Sequence, residues 1–122
     1  MAGSSSSLHE NEAVLKPETI DRHRAVVSIM EELEAIDWYD QRIDAATDRE
    51  LKELLAHNRD EEKEHAAMML EWLRRHDPKL DEHLRTYLFT KQSLLEIEEE
   101  AEDKEGGGSD DVGSLRIGSL RP

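Results

Sequence analysis

Thr47-Asp48-Arg49-Glu50 separates two long stretches of helical apolar spacing, and what the chain does at these four residues sets its architecture. A Thr-x-x-Glu run is a capping box: the Thr47 hydroxyl and the Glu50 carboxylate satisfy backbone donors that the first turn of a helix leaves free. Upstream, Pro17 suits a first helical turn, and Ile20, Ala25, Val26, Ile29, Leu33, Ile36 and Ile43 recur at steps of three and four. That pattern predicts a helix over about 17–44. Downstream, Leu51, Leu55, Asn58, Glu62, His65, Met69 and Trp72 share one face of a second helix. It closes on Arg74-Arg75-His76 before Pro78, basic residues suited to the negative end of a helix. Two long helices joined by a few residues make an antiparallel hairpin, and such a hairpin is half of a four-helix bundle.

Asp77-Pro78 opens a short third helix carrying Leu80, Leu84, Tyr87 and Leu88. The fold class expected is therefore all-α, a two-helix hairpin plus a short helix, with two copies completing a four-helix bundle. Residues 1–15 are polar and Ser-rich and read as a flexible terminus, leaving a helical domain over 16–92. Ser93-Leu94-Leu95-Glu96 offers a second capping box, while the acids from Glu98 to Asp103 weigh against a stable helix. We read 93–111 as an acidic, Gly-rich linker whose helix content is open. Residues 112–122 contain Gly-Ser-Leu-Arg twice, with Val112, Leu115, Ile117 and Leu120 as apolar anchors. This is how a tethered peptide is offered to another protein's groove.

Composition narrows the function. Of 122 residues, 30 are acidic and 16 basic, a net charge of -14 that opposes nucleic acid and anionic membranes and attracts cations. No apolar run approaches membrane-spanning length, and the amino terminus lacks a signal pattern, so a cytoplasmic location is expected. Aromatics make up 4% and charged residues 38%, a profile in which narrow apolar stripes look for partners and self-association is expected. With no cysteine, a metal site must use carboxylate and imidazole, which suits iron or manganese.

Glu62 and His65 form a Glu-x-x-His pair within the apolar stripe of the second helix. Residues three apart project from one face, the arrangement by which helical bundles hold two metal ions. Glu32 falls among Ala25, Ile29, Ile36, Tyr39 and Ile43 on the first helix. Unpartnered carboxylates on covered faces cost several kcal/mol, and no Lys or Arg is expected near them on those stripes. In a two-fold dimer, Glu32, Glu62 and His65 from both chains supply four carboxylates and two imidazoles, a charge matched by two divalent ions. Tyr39 lies two turns from Glu32, either packed or placed to hydrogen-bond a ligand or donate an electron. Glu31, Glu34 and Trp38 form a second stripe that could guide cations inward or simply face solvent. Glu61 and Glu64 lie off the stripe. His9, His23, His57, His76 and His83 are unassigned, with no second ligand expected at helical spacing.

Five blocks carry a family resemblance: Arg22-His23-Arg24-Ala25, Met30-Glu31-Glu32-Leu33-Glu34-Ala35, Asp37-Trp38-Tyr39-Asp40-Gln41-Arg42, Ala56 through Ala66, and Glu71-Trp72-Leu73-Arg74-Arg75. Through these, over roughly residues 9–90, the sequence resembles the encapsulated ferritins. The tail over 112–122 resembles the peptide that directs cargo into encapsulin shells. The resemblance implies a half-ferritin that dimerises to build a diiron ferroxidase centre, with dimers arranged in an annular decamer inside an encapsulin nanocompartment. It implies Glu32, Glu62 and His65 as ligands of two iron ions per dimer, Tyr39 near the centre, and Glu31, Glu34 and Trp38 at an outer metal entrance. Fe(II) would be oxidised by oxygen and Fe(III) passed to the shell for storage. Calcium or manganese could occupy the same or the entrance sites in vitro, and a manganese or peroxidase use of the same ligands stays open. A competing reading is a non-catalytic helical adaptor that binds cations and docks to a shell.

Overall fold

The computed structural model describes residues 7–107, and among these every regular element is a helix. Where the sequence predicts a loose terminus, Glu12–Val14 makes a short 3-10 turn, started by the Asn11 side chain accepting from the Ala13 N–H at 2.9 Å. Helix α1 spans Pro17–Ala45, with Pro17 in its first turn, where no N–H is needed. Helix α2 spans Arg49–Arg75.

The connection between them differs from the expected capping box. The cap of α2 is Asp48, whose Oδ2 accepts from the Leu51 N–H at 2.9 Å. A carboxylate there meets both the free donors and the positive end of the helix dipole, so Asp48 caps in place of Thr47, one residue earlier. The turn is Ala46-Thr47-Asp48, short enough to force α1 and α2 antiparallel.

Three polar contacts between α1 and α2 mark their register. Arg22, near the start of α1, donates to the His76 carbonyl just past the end of α2 at 3.5 Å. Midway, His65 Nδ1 lies 3.7 Å from Glu32 Oε1. Nearer the turn, Arg59 donates to Asp40 at 3.0 Å. Ala25 and Ala66 are buried, and small side chains of this kind let two helices approach closely.

The covered face of α2 is rotated from the predicted stripe. Leu55, Arg59, Glu62, Ala66, Met69 and Leu73 are covered wholly or in part, whereas Leu51, Asn58 and His65 are exposed. The apolar residues of α2 serve two directions, one facing α1 and one facing outward, and periodicity averages the two. On the hairpin, Leu33, Leu51, Leu54 and Met68 remain 47–64% exposed, so a single hairpin leaves much apolar surface uncovered.

Among the described residues, those from Asp77 to Gly107 belong to a separate compact unit. Helix α3, Pro78–Tyr87, starts as expected, with Asp77 Oδ1 accepting from the Leu80 N–H at 3.0 Å and Pro78 in the first turn. Just past its end Phe89 takes φ 62°, a left-handed turn usually filled by glycine. The acidic stretch left open by the sequence is helical: α4 spans Leu94–Gly107 and begins with the Ser93 carbonyl accepting from the Ile97 N–H at 3.0 Å. Ile97 is buried and Ala101 half-buried on one side, while Glu96, Glu98, Glu99 and Glu100 are solvated. Glutamate's high helix propensity, about as favourable as lysine's, outweighs like-charge repulsion of only ~0.2–0.5 kcal/mol per pair in water. Residues 108–122, with the end of the linker and the tail peptide over 112–122, lie outside the described residues.

Candidate metal centre

The hairpin register brings Glu32 of α1 level with Glu62 and His65 of α2, one turn from the buried Ala66. One donor atom from each of the three lies within 4.8 Å of the others. His65 Nδ1 is 3.1 Å from Glu62 Oε1 and 3.7 Å from Glu32 Oε1. Adjacent donors around an octahedral ion, each about 2.1 Å from it, stand about 3 Å apart, so this spacing fits a first-row divalent cation. The carboxylates are half-buried and the imidazole is more open, which leaves one side of the group facing outward.

Electrostatics tie the three together. Glu32 holds its proton above the ordinary carboxylate value, because it hydrogen-bonds Glu62, loses solvent, and feels Glu62's charge. Glu62 is pushed down, first by accepting from Glu32 and also by hydrogen bonding to His65. His65 is raised, chiefly by its hydrogen bond to Glu62 and then by the charge of Glu32. Two carboxylates sharing a proton beside an imidazole behave as one site that a divalent cation can discharge.

The other residues singled out in sequence lie apart from this group. Glu31 and Glu34 are exposed on the outer side of α1. Trp38 is exposed and Tyr39 half-buried, and both rings flank the Arg42 guanidinium, at 6.0 Å and 5.5 Å from their centroids. Contrary to expectation, His57 has a neighbour one turn on, with Nε2 at 4.0 Å from the exposed Glu61 carboxylate.

A basic group does lie beside the site. Arg59, one turn before Glu62 on the covered face of α2, is a half-buried cation that the sequence reading missed. Its guanidinium is engaged twice, by Asp40 of α1 at 3.0 Å and by Asp60 at 3.1 Å. The signal was present in the antiparallel register, which sets Asp40 opposite Arg59, but not in either helix alone.

Comparison with known proteins gives this architecture a family. The model described as EncFtn-like matches residues 7–91, which hold the 3-10 turn, the hairpin, α3 and all three donors. The chain belongs to the EncFtn-like family. This EncFtn-like protein is 62% identical to an encapsulated ferritin-like protein of Rhodospirillum rubrum, over 99% of the chain and 92% of the relative. It is 50% identical to a ferritin-like protein of Thermotoga maritima over 86% and 89%. An encapsulin nanocompartment cargo protein of Myxococcus xanthus is 34% identical over 78% and 80%. A crystal structure of a Nitrosomonas europaea protein shares the fold with a TM-score of 0.70 at 57% identity, covering 72% of this chain and 97% of that one. Among the described residues no helix is long and apolar enough to cross a membrane.

Proposed function

We propose that this EncFtn-like protein is a ferroxidase, oxidising Fe(II) to Fe(III) at a site shared by two copies, as cargo of an encapsulin shell. The observation that carries this reading is the convergence of Glu32, Glu62 and His65 within 4.8 Å on facing helices. Fe(II) is the substrate, and each pair of ions surrenders two electrons to oxygen. The chain's residues bind, neutralise and orient: the carboxylates offset the cations' charge, and His65 adds a nitrogen donor that suits iron or manganese.

One chain offers three ligand residues, half of what a two-metal bundle site uses, so a second copy supplies three more. The outward apolar side chains Leu33, Leu54 and Met68, each more than half exposed, favour such pairing, since burying them is worth about 25 cal/mol per Å². On this reading Glu31, Glu34 and Trp38 form an outer entrance for cations. On the same reading Tyr39, two turns along α1 from Glu32, would donate a hydrogen bond to a ligand of the assembled site or an electron to it. The Rhodospirillum and Myxococcus relatives are named as an encapsulated protein and a shell cargo, and residues 112–122 are the segment by which this chain docks to a shell.

The test is anaerobic titration of metal-free protein with Fe(II), then admission of air, following oxidation rate and oligomer mass together with Glu62→Ala alongside. Rapid oxidation saturating at about one Fe per chain, with mass rising on metal and both lost in the variant, is the expected result. No oxidation above background, with mass indifferent to iron, would leave a non-catalytic, cation-binding adaptor that docks to a shell.

A further inference from the structure

Glu62 lies one turn beyond an arginine, and arginine and glutamate three residues apart on a helix are natural partners. Yet Arg59 does not turn to Glu62. Its Nη1 donates to Asp40 Oδ1 on α1 at 3.0 Å, and its Nε donates to Asp60 Oδ1 at 3.1 Å. The side chain is 25% exposed and that of Glu62 26%, so both stand on the same half-covered face. Within one turn of Glu32 on α1, residues 28–36 contain no lysine or arginine, and on α2 Lys63 is exposed. Arg59 is therefore the basic group best placed to discharge the carboxylates in place of a metal ion.

We propose that Asp40, assisted by Asp60, holds the Arg59 guanidinium off Glu62 and so keeps the metal centre's carboxylates free for a cation. The inference rests on the reading of Glu32, Glu62 and His65 as a metal site. Asp40 is a positioning residue, acting through Arg59 without touching the ion. It lies eight residues from Glu32 along α1, about 12 Å of helix. That is beyond the Debye length of about 8 Å at physiological salt, so its direct pull on a bound ion is weak. A released guanidinium would pair with Glu62 and compete with the cation. An exposed or half-exposed pair of this kind changes an equilibrium about two- to five-fold.

Two explanations make opposite forecasts for Arg59. If the Arg59–Asp40 contact merely clamps the hairpin, removing either partner loosens the site and weakens binding. If Asp40 restrains a competitor, removing Arg59 leaves binding as tight or tighter and cancels the effect of removing Asp40.

The experiment measures Co(II) binding by calorimetry, and by the cobalt absorption bands, for the full-length wild-type chain, D40N, R59Q and D40N/R59Q, with Glu62→Ala as control. We expect D40N to bind about two- to five-fold more weakly than wild type, R59Q at least as tightly, and the double variant within about 1.5-fold of R59Q. Melting curves of the metal-free variants keep unfolded samples out of the comparison, and R59Q against D40N/R59Q decides the matter even where D40N melts early. Weakening in R59Q, or an equal effect of D40N with and without Arg59, overturns the restraint. A wild type that binds no Co(II), or binds it as well as Glu62→Ala, overturns the metal site itself and the inference with it.

Discussion

Replacing Glu32 by glutamine should make the metal-free protein more stable at neutral pH, while damaging the metal centre. The amide keeps a donor where the protonated carboxyl donates to Glu62, but it cannot ionise. The repulsion removed follows from geometry: two unit charges within 4.8 Å of one another repel by about 3.5 kcal/mol at an effective dielectric of 20 and about 0.9 kcal/mol in bulk water. The two side chains are 23% and 26% exposed, so the effective screening lies between these limits, which places the gain at about 1–2 kcal/mol.

The sign depends on pH. Because Glu32 is raised above 4.5, its protonated form stabilises the fold fully below that value, and the contribution is lost as pH rises through the raised one. Glu32→Gln and wild type should therefore melt together near pH 4 and separate by pH 7. The variant should then melt higher by about 4–8 °C per kcal/mol. Helical circular dichroism in chelator, at one protein concentration, measures this. Saturating Mn(II) should invert the order, since an ion at 100 times its Kd adds about 2.7 kcal/mol to the form that binds it. A variant that melts below wild type at pH 7 without metal, or a difference that ignores pH, would refute the account of a shared proton.

Asp48→Ala removes the cap at Leu51 and should cost about 1 kcal/mol in urea unfolding, whereas Thr47→Ala should cost less, reversing what the Thr-x-x-Glu motif suggests. Glu71, held to about 2 by hydrogen bonds from Arg74 and Arg75, contributes stability above pH 4.5 that is lost as pH falls through about 2. Glu71→Gln should therefore lower the urea midpoint at pH 7 and make no difference near pH 2. Deleting residues 112–122 should abolish co-purification with a co-expressed encapsulin shell and leave Fe(II) oxidation by the free protein intact, as a paired affinity and oxidation assay would read.

What was legible in the sequence was local. Glu62 and His65 share a face because they are three residues apart, and Glu32 stands out as an acid among Ile29, Ile36 and Ile43. The hairpin follows from a connection too short for anything else. What was hidden depended on the partner helix. The cap shifted from Thr47 to Asp48 because both residue types cap and spacing alone does not choose between them. No basic group was expected beside the acids because the partner that holds Arg59 there, Asp40, lies 19 residues earlier, across the turn. The acidic segment proved helical because Ile97 and Ala101 fall on one side and the glutamates on the other, a division that net charge conceals.

Two shortfalls of the single chain have the same remedy. The described hairpin buries only the alanines Ala25 and Ala66, leaving larger apolar side chains partly in water, and its candidate metal site has three donors. On the proposed pairing, a second hairpin laid across the outward faces would cover the first shortfall and complete the second at once. Neither interaction is then free of the other. In such a pair, four carboxylates would crowd the contact and oppose it without metal; with metal, their charge would be offset and the apolar faces would meet unopposed. The strength of pairing should therefore track the occupancy of the site, and a charge that intrudes on the site should weaken pairing as well as binding. Asp40 would acquire its importance in this setting: by keeping Arg59 engaged, it would leave the balance between repulsion and assembly to the metal ion.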